Sequence, residues 1–254
     1  MHPARIAELL QPFLSAPCHS ESGRRLAEAC PERSRREPAV ALSSSQLSCI
    51  STYIDLLLHW NSRINLTAIR DPEEIVTRHF GESLFAARHL FPAPAAQSQI
   101  EKNFSAPSAS SAVRGPVRLA DLGSGAGFPG IPIKIWAPGI AVTLIEANHK
   151  KATFLREVVR ALTLTNVDIQ NTRAENVAAT FDVVTLRAVE RFADALPAAN
   201  RLLGPAARLT LLISASQLET AYSVLPDLSW TQPIPVPQSK SRVLLVGNRN
   251  QSST

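Results

Sequence analysis

An α/β fold built on a mostly parallel, twisted sheet with helices on both faces is predicted by the second half of this 254-residue chain. Three observations predict it. Strand and helix signals alternate from Val117 onward, a glycine-rich turn follows the first strand, and the last two strand signals lie close enough to pair antiparallel. The first half carries helix signals only, which adds an N-terminal helical cap.

Residues 1–42 read as an irregular leader, because Ala29 to Pro38 is charge-rich, has no apolar period and carries a proline near each end. Met1 to Ile6 lacks the apolar run of a secretory signal, and no stretch approaches the roughly 18 apolar residues of a membrane helix. A cytoplasmic protein with no membrane partner is expected. Cys18, Cys30 and Cys49 are odd in number and widely spaced, so they suggest neither a disulfide framework nor a zinc site, and no metal is expected.

The cap is expected over residues 43–91. Leu47, Ile50, Ile54, Leu57 and Leu58 recur at three- and four-residue steps, the signature of one buried helix face. Asp71-Pro72-Glu73-Glu74 announces a second helix: Asp71 as N-cap, Pro72 at the first helical position, Glu74 completing a capping box. That helix carries His79 and runs toward Leu90. Trp60 to Thr67 forms a polar turn between the two, in which Asn61 and Asn65 suit turn capping as well as substrate contact. Residues 92–116, dominated by Ala, Ser and Pro, read as a linker to a core over 117–254.

In that core, strands are expected at Val117–Leu122, Ala141–Glu146, Val167–Gln170, Asp182–Leu186 and Arg208–Ile213. Helices start near Gly130 and span Lys150–Leu162. Thr231–Val236 and Arg242–Val246, joined by Pro237 to Ser241, read as an antiparallel pair closing the sheet edge.

The informative stretch is Asp121-Leu122-Gly123-Ser124-Gly125-Ala126-Gly127-Phe128-Pro129-Gly130. Glycines at alternate positions after a buried strand let the backbone turn sharply and approach a ligand closely. Gly125 to Gly130 satisfies the dinucleotide pattern, and Glu146 follows at the distance of a ribose contact. Two residues oppose a dinucleotide. Asp121 would repel a pyrophosphate but suits a sulfonium and an amino group, and Pro129 removes a backbone donor that phosphate binding uses. The pattern favours S-adenosylmethionine, held by Asp121, Gly123, Gly125, Gly127, Phe128 and Glu146. Ala174-Glu175 follows the next strand, where an adenine ring would lie. Arg187 ends the strand after that, where amino-group methyltransferases usually carry an Asn/Asp-Pro-Pro-aromatic tetrapeptide, and it suits bidentate contact with guanine or phosphate. The upstream cysteines leave no thiol for covalent catalysis.

Trp60-Asn61 through Asn65-Leu66-Thr67-Ala68-Ile69, Arg78-His79 through Glu82-Ser83-Leu84, and Asp121 through Pro132 together resemble the bacterial ribosomal RNA small-subunit methyltransferase G family, also called glucose-inhibited division protein B. The resemblance implies a Rossmann-like class I methyltransferase that methylates guanine N7 in small-subunit (16S) ribosomal RNA. It implies ribosomal RNA or the assembled small subunit as partner, and a monomer is expected. By position it implies cofactor contacts at Gly123, Phe128, Glu146, Ala174, Glu175 and Arg187, with His79, Asn61 and Arg187 at the guanine. Where the family often has lysine-glycine, this chain has Ser214-Ala215, which moves that RNA contact to Lys240 or Arg242 if it is kept. The formal charge of +5 is compatible with an RNA partner and does not establish one. Two other readings stand beside this one: a noncatalytic RNA- or ribosome-binding module on the same fold, and a nicotinamide-dependent oxidoreductase.

Overall fold

The computed structural model describes residues 1–15, 41–92, 115–189 and 191–249. Its sheet contains β1 (Arg118–Leu122), β2 (Ala141–Ile145), β3 (Val167–Gln170), β4 (Phe181–Arg187), β5 (Leu203–Ser214), β6 (Leu228–Trp230), β7 (Ile234–Pro235) and β8 (Arg242–Arg249). The order is β3-β2-β1-β4-β5-β8-β6, with β7 paired to β8 off that path. β1 to β5 run parallel, and β8 is antiparallel to β5, β6 and β7.

Helices cover both faces, so the central strands are buried almost continuously, as parallel strands must be. The two-residue side-chain period divides β1 between two cores. Leu119 packs with α5 (Gly130–Trp136), α6 (His149–Ala161) and the cap, while Ala120 and Leu122 pack with α7 (Phe192–Arg201) and α8 (Leu218–Val224). Asn148 caps α6, its Oδ1 accepting from the backbone N–H of Lys150 and Lys151.

The cap comprises α1 (Pro3–Leu14), α2 (Ser44–Asn61), α3 (Pro72–Glu74), a π-helical stretch (Ile75–Gly81) and α4 (Glu82–Leu90). It shares one continuous core with α5 and α6. Ser43 and Gln46 make a full capping box on α2, whose Ile50, Ile54 and Leu57 are buried as the periodicity predicts. Asp71 accepts from the Glu74 N–H at 2.8 Å, as expected of an N-cap. The π-helical stretch is not legible in the sequence; it sets His79 and Phe80 inward and leads directly into α4.

One expectation is corrected. Residues 1–14 are not part of an irregular leader: Ile6, Leu10, Phe13 and Leu14 recur on one face of α1 and are buried against the cap. The Ala29 to Pro38 stretch, Cys18 and Cys30 lie outside the described residues, as does nearly all of the expected linker. At the other end the expected antiparallel pair is present as β7 and β8 and lies at the sheet edge: β8 pairs with β5 on one side and with β6 and β7 on the other. β6, which shares that edge with β7, is a three-residue strand too short to announce itself by periodicity.

Candidate active site

From β1 the chain winds outward through β2 and β3, then returns to place β4 on the other side of β1. Ligands bind at such a reversal, outside the carboxyl ends of the strands. A cavity of about 660 Å³ opens there. Its walls are the glycine loop, the residues following β2, β3 and β4, and the cap residues Leu66, Thr67 and His79.

The loop turns on three glycines with positive φ: Gly123 at 63°, Gly125 at 56° and Gly127 at 89°. Gly125 faces the cavity with room above it, whereas Gly127 faces the cap. A Cβ on Gly127 would lie 2.7 Å from Ile131 Cδ1 and run into the Tyr53 hydroxyl, which donates to the Ala126 carbonyl. Gly127 is therefore required for packing and does not line the cavity, contrary to its expected cofactor contact.

Asp121 is corrected in the same sense. It is fully buried beneath the start of α5, where Oδ2 accepts from the Gly130 N–H at 3.1 Å and Oδ1 accepts from the Thr185 hydroxyl at 2.8 Å. Burial pushes its carboxyl up to about 6, opposed by those two bonds. It pins the far end of the loop to β1 and β4 and does not reach the cavity.

Glu146 does face the cavity. Its Oε2 accepts from the Gly125 N–H at 2.9 Å and its Oε1 from the Asn148 N–H at 2.7 Å. These bonds fix the carboxylate and leave a lone pair on each oxygen, an arrangement suited to a vicinal diol. Ala174 and Glu175 sit in a single 3-10 turn (Ala174–Asn176) after β3 and also line the cavity.

Opposite them, across β1, the end of β4 meets the cap. Arg187 Nε and Nη2 donate to Glu82 Oε2 at 3.3 and 3.0 Å, Nη2 donates to the Arg78 carbonyl at 2.8 Å, and Nη1 lies 3.2 Å from His79 Nδ1. Glu82, 1% exposed, also meets Arg78 at 3.2 Å and Arg242 at 3.5 Å. One buried carboxylate thus gathers three guanidiniums, and burial draws Arg187 below its ordinary range while Glu82 opposes that shift. His79 is lowered to about 3, first by burial and then by the charges of Arg187, Arg78 and Arg242, so its ring is neutral. With four of its five N–H groups committed, Arg187 cannot make the expected bidentate contact with guanine.

Phe128 joins the loop to the cap. Its ring stacks on Tyr53 (5.3 Å between centroids) and on His79 (4.7 Å), and Phe80 meets it edge-on. Only its margin remains for the cavity. Asn61 does not line the cavity either: Oδ1 accepts from the Leu66 and Thr67 N–H groups and Nδ2 donates to the Thr67 carbonyl. It is the turn cap that the sequence also allowed.

A family model for rRNA small subunit methyltransferase G matches residues 46–95 and 105–229. The chain belongs to this family. It is 34% identical over 220 residues to the ribosomal RNA small subunit methyltransferase G of Chloroflexus aggregans, covering 82% of this chain and 83% of that one. It is 36% identical over 203 residues to the enzyme of that name from Xylella fastidiosa, with 78% and 84% covered. Among solved structures, magnesium protoporphyrin IX methyltransferase from Synechocystis, with SAM bound, superposes with a TM-score of 0.56 at 12% identity, over 80% of this chain and 97% of that one. That likeness supports the Rossmann-like methyltransferase fold alone.

Of the residues expected at the site of this family member, His79, Gly123, Gly125, Phe128, Glu146, Ala174, Glu175 and Arg187 line the cavity; Asn61, Asp121 and Gly127 stand behind it. Sequence reasoning assigned no site role to Thr67 or to the basic rim of Lys151, Arg173 and Arg191, which line the cavity, nor to Tyr53 and Arg78, which support it from behind. Arg78 and Glu82, four apart on one helical face, could have been read as a pair. Arg242 arrives from β8, opposite Ser214 in the β5 register, and only the fold brings it to Glu82. Among the described residues no group of His, Cys, Asp or Glu could hold a metal, and no helix is long and apolar enough to cross a membrane.

Proposed function

We propose that this protein transfers a methyl group from S-adenosylmethionine to N7 of a guanine in small-subunit ribosomal RNA. The family supports methylation of that RNA. The choice of N7 rests on one observation: among the described residues, the side chains where β4 meets the cap supply no free base. His79 is neutral, its Nδ1 faces an Arg187 donor, and Glu82 is enclosed by three guanidiniums. Among the described residues, the carboxylates that line the cavity are Glu146 and Glu175 after β2 and β3, and Asp194, held by Arg191 in an exposed ion pair. An exocyclic amine must lose a proton on methylation, whereas guanine N7 already carries an in-plane lone pair. For such an acceptor, alignment and exclusion of water account for most of the acceleration.

The residues fit the cofactor. Glu146 would hold the ribose hydroxyls, Ala174 and Glu175 the adenine, and Gly123 and Gly125 the methionine portion along the open loop. S-adenosylmethionine, when bound, supplies the methyl group on its sulfonium. Arg187 and His79 form a rigid wall for the incoming base, and Lys151, Arg173 and Arg191 give its phosphates a cationic rim. The Gly125 N–H, a loop donor that a pyrophosphate would use, is committed to Glu146, which counts against the nicotinamide reading.

The test is to map modified guanines in small-subunit ribosomal RNA from a strain lacking this protein. Loss of one N7-methylguanine, restored by the intact gene, supports the proposal; an unchanged modification map refutes it.

A further inference from the structure

Thr67 follows the polar turn and lies half-buried at the cavity wall, its backbone fixed by Asn61 on both sides. Its Oγ1 lies 3.1 Å from the Ile69 N–H and 2.8 Å from His79 Nε2. The ring's other nitrogen faces Arg187 Nη1, and a guanidinium has only protons to offer. Nδ1 must therefore present its lone pair, the imidazole proton resides on Nε2, and Nε2 donates to Thr67 Oγ1. Both acceptor positions of the hydroxyl are then filled. Its own proton has no acceptor among the described residues, so Thr67 is a donor only.

Resting on the N7 reading above, we propose that the Thr67 hydroxyl donates to O6 of the target guanine and so selects guanine over adenine. On the edge that carries N7, guanine presents the O6 acceptor and adenine presents an N6 amino donor. A hydroxyl with no lone pair to spare can donate to the first and cannot accept from the second. A site built to hydrogen-bond one edge discriminates strongly against the edge that leaves its donor unpaired. Arg187 cannot take this role in full, because four of its N–H groups are committed. A cation bonded to N7 would also block the lone pair that must attack. The topology separates Thr67 from the cofactor's ribose and adenine: it is bonded through His79 to the end of β4, whereas Glu146 and Glu175 follow β2 and β3 on the other side of β1.

The test compares wild type, Thr67→Val and Thr67→Ser on small subunits from a strain lacking the protein, with the target guanine intact or changed to adenine. Thr67→Val is expected to lower kcat/KM for guanine about tenfold or more while S-adenosylmethionine affinity stays within about threefold. Thr67→Ser, which keeps the O–H, is expected to recover most of the rate. Nitrogen-15 NMR of wild-type His79 is expected to show the proton on Nε2, a readout that does not depend on any variant folding. A proton on Nδ1, a Thr67→Val rate within about threefold of wild type, or a loss confined to cofactor affinity would each overturn the inference. Equal methylation of adenine by wild type would do so as well. Failure of wild type to label guanine N7 at all would instead remove the reading on which it rests.

Discussion

Arg187 donates to His79: its Nη1 lies 3.2 Å from the imidazole Nδ1, in a cluster closed beneath by the Glu82 carboxylate. The bond commits the lone pair that a general base would need. With His79 lowered to about 3, the ring keeps one charge state across the neutral range. At saturating substrates kcat is therefore expected to be flat from about pH 6 to about pH 8. A limb near pH 6.5 that disappears in His79→Gln would assign His79 a protonic role.

The same ring should register in stability. His79 has an ordinary value of 6.5 and a folded value of about 3, so the unfolded chain binds more protons between those limits. The contribution of this group is intact above about pH 6.5 and is lost as pH falls toward 3. Asp121, raised from 3.8 to about 6, has the opposite sign over an overlapping range, and comparing two proteins that both retain it removes its effect. His79→Gln is expected to lose less Tm than wild type between pH 7.5 and pH 5 by calorimetry. Parallel curves would contradict the buried, neutral assignment.

α1 is structural. Leu10 is fully buried with Ile6 and Leu14 in the core that supports the cap, and Phe13 packs beneath Gly81, where a Cβ would stand 2.6 Å from its ring. Leu10→Ala is expected to cost about 2–5 kcal/mol in urea denaturation, the usual loss for a cavity of that size. A cost below about 0.5 kcal/mol would mean that α1 is not seated as described.

Glu146→Ala should act on the cofactor. Its carboxylate is oriented by two backbone N–H groups while facing the cavity, so its removal is expected to weaken S-adenosylmethionine by about 1–3 kcal/mol in titration calorimetry. Unchanged affinity would move the ribose elsewhere.

How far the sequence reached depended on whether contacts were local. The parallel strands, the glycine loop and α2 were legible because periodicity and turn chemistry act over a few residues. α1 was missed although Ile6, Leu10, Phe13 and Leu14 keep a helical spacing, because the charge-rich character of Ala29 to Pro38 was extended over the whole leader. Asp121, expected at the cofactor, stands behind the cavity wall. The two-residue period of β1 turns it under α5, and a carboxylate there can bond a helix N-terminus as readily as a cofactor. The Arg187, His79, Glu82 and Arg242 cluster joins β4, the π-helical stretch, α4 and β8, which no local pattern connects.

Labelled methyl transfer decides which atom is methylated. Small subunits from a strain lacking the protein would be incubated with methyl-labelled S-adenosylmethionine and either wild type or Arg187→Ala, then cleaved chemically at N7-methylguanine. Wild type is expected to label a single guanine and yield one cleavage product. Arg187→Ala is expected to lose far more turnover than bulk RNA affinity, since that affinity is spread over many phosphate contacts. Label on an adenine, a cytosine or a protein, or turnover unchanged without Arg187, would contradict the account.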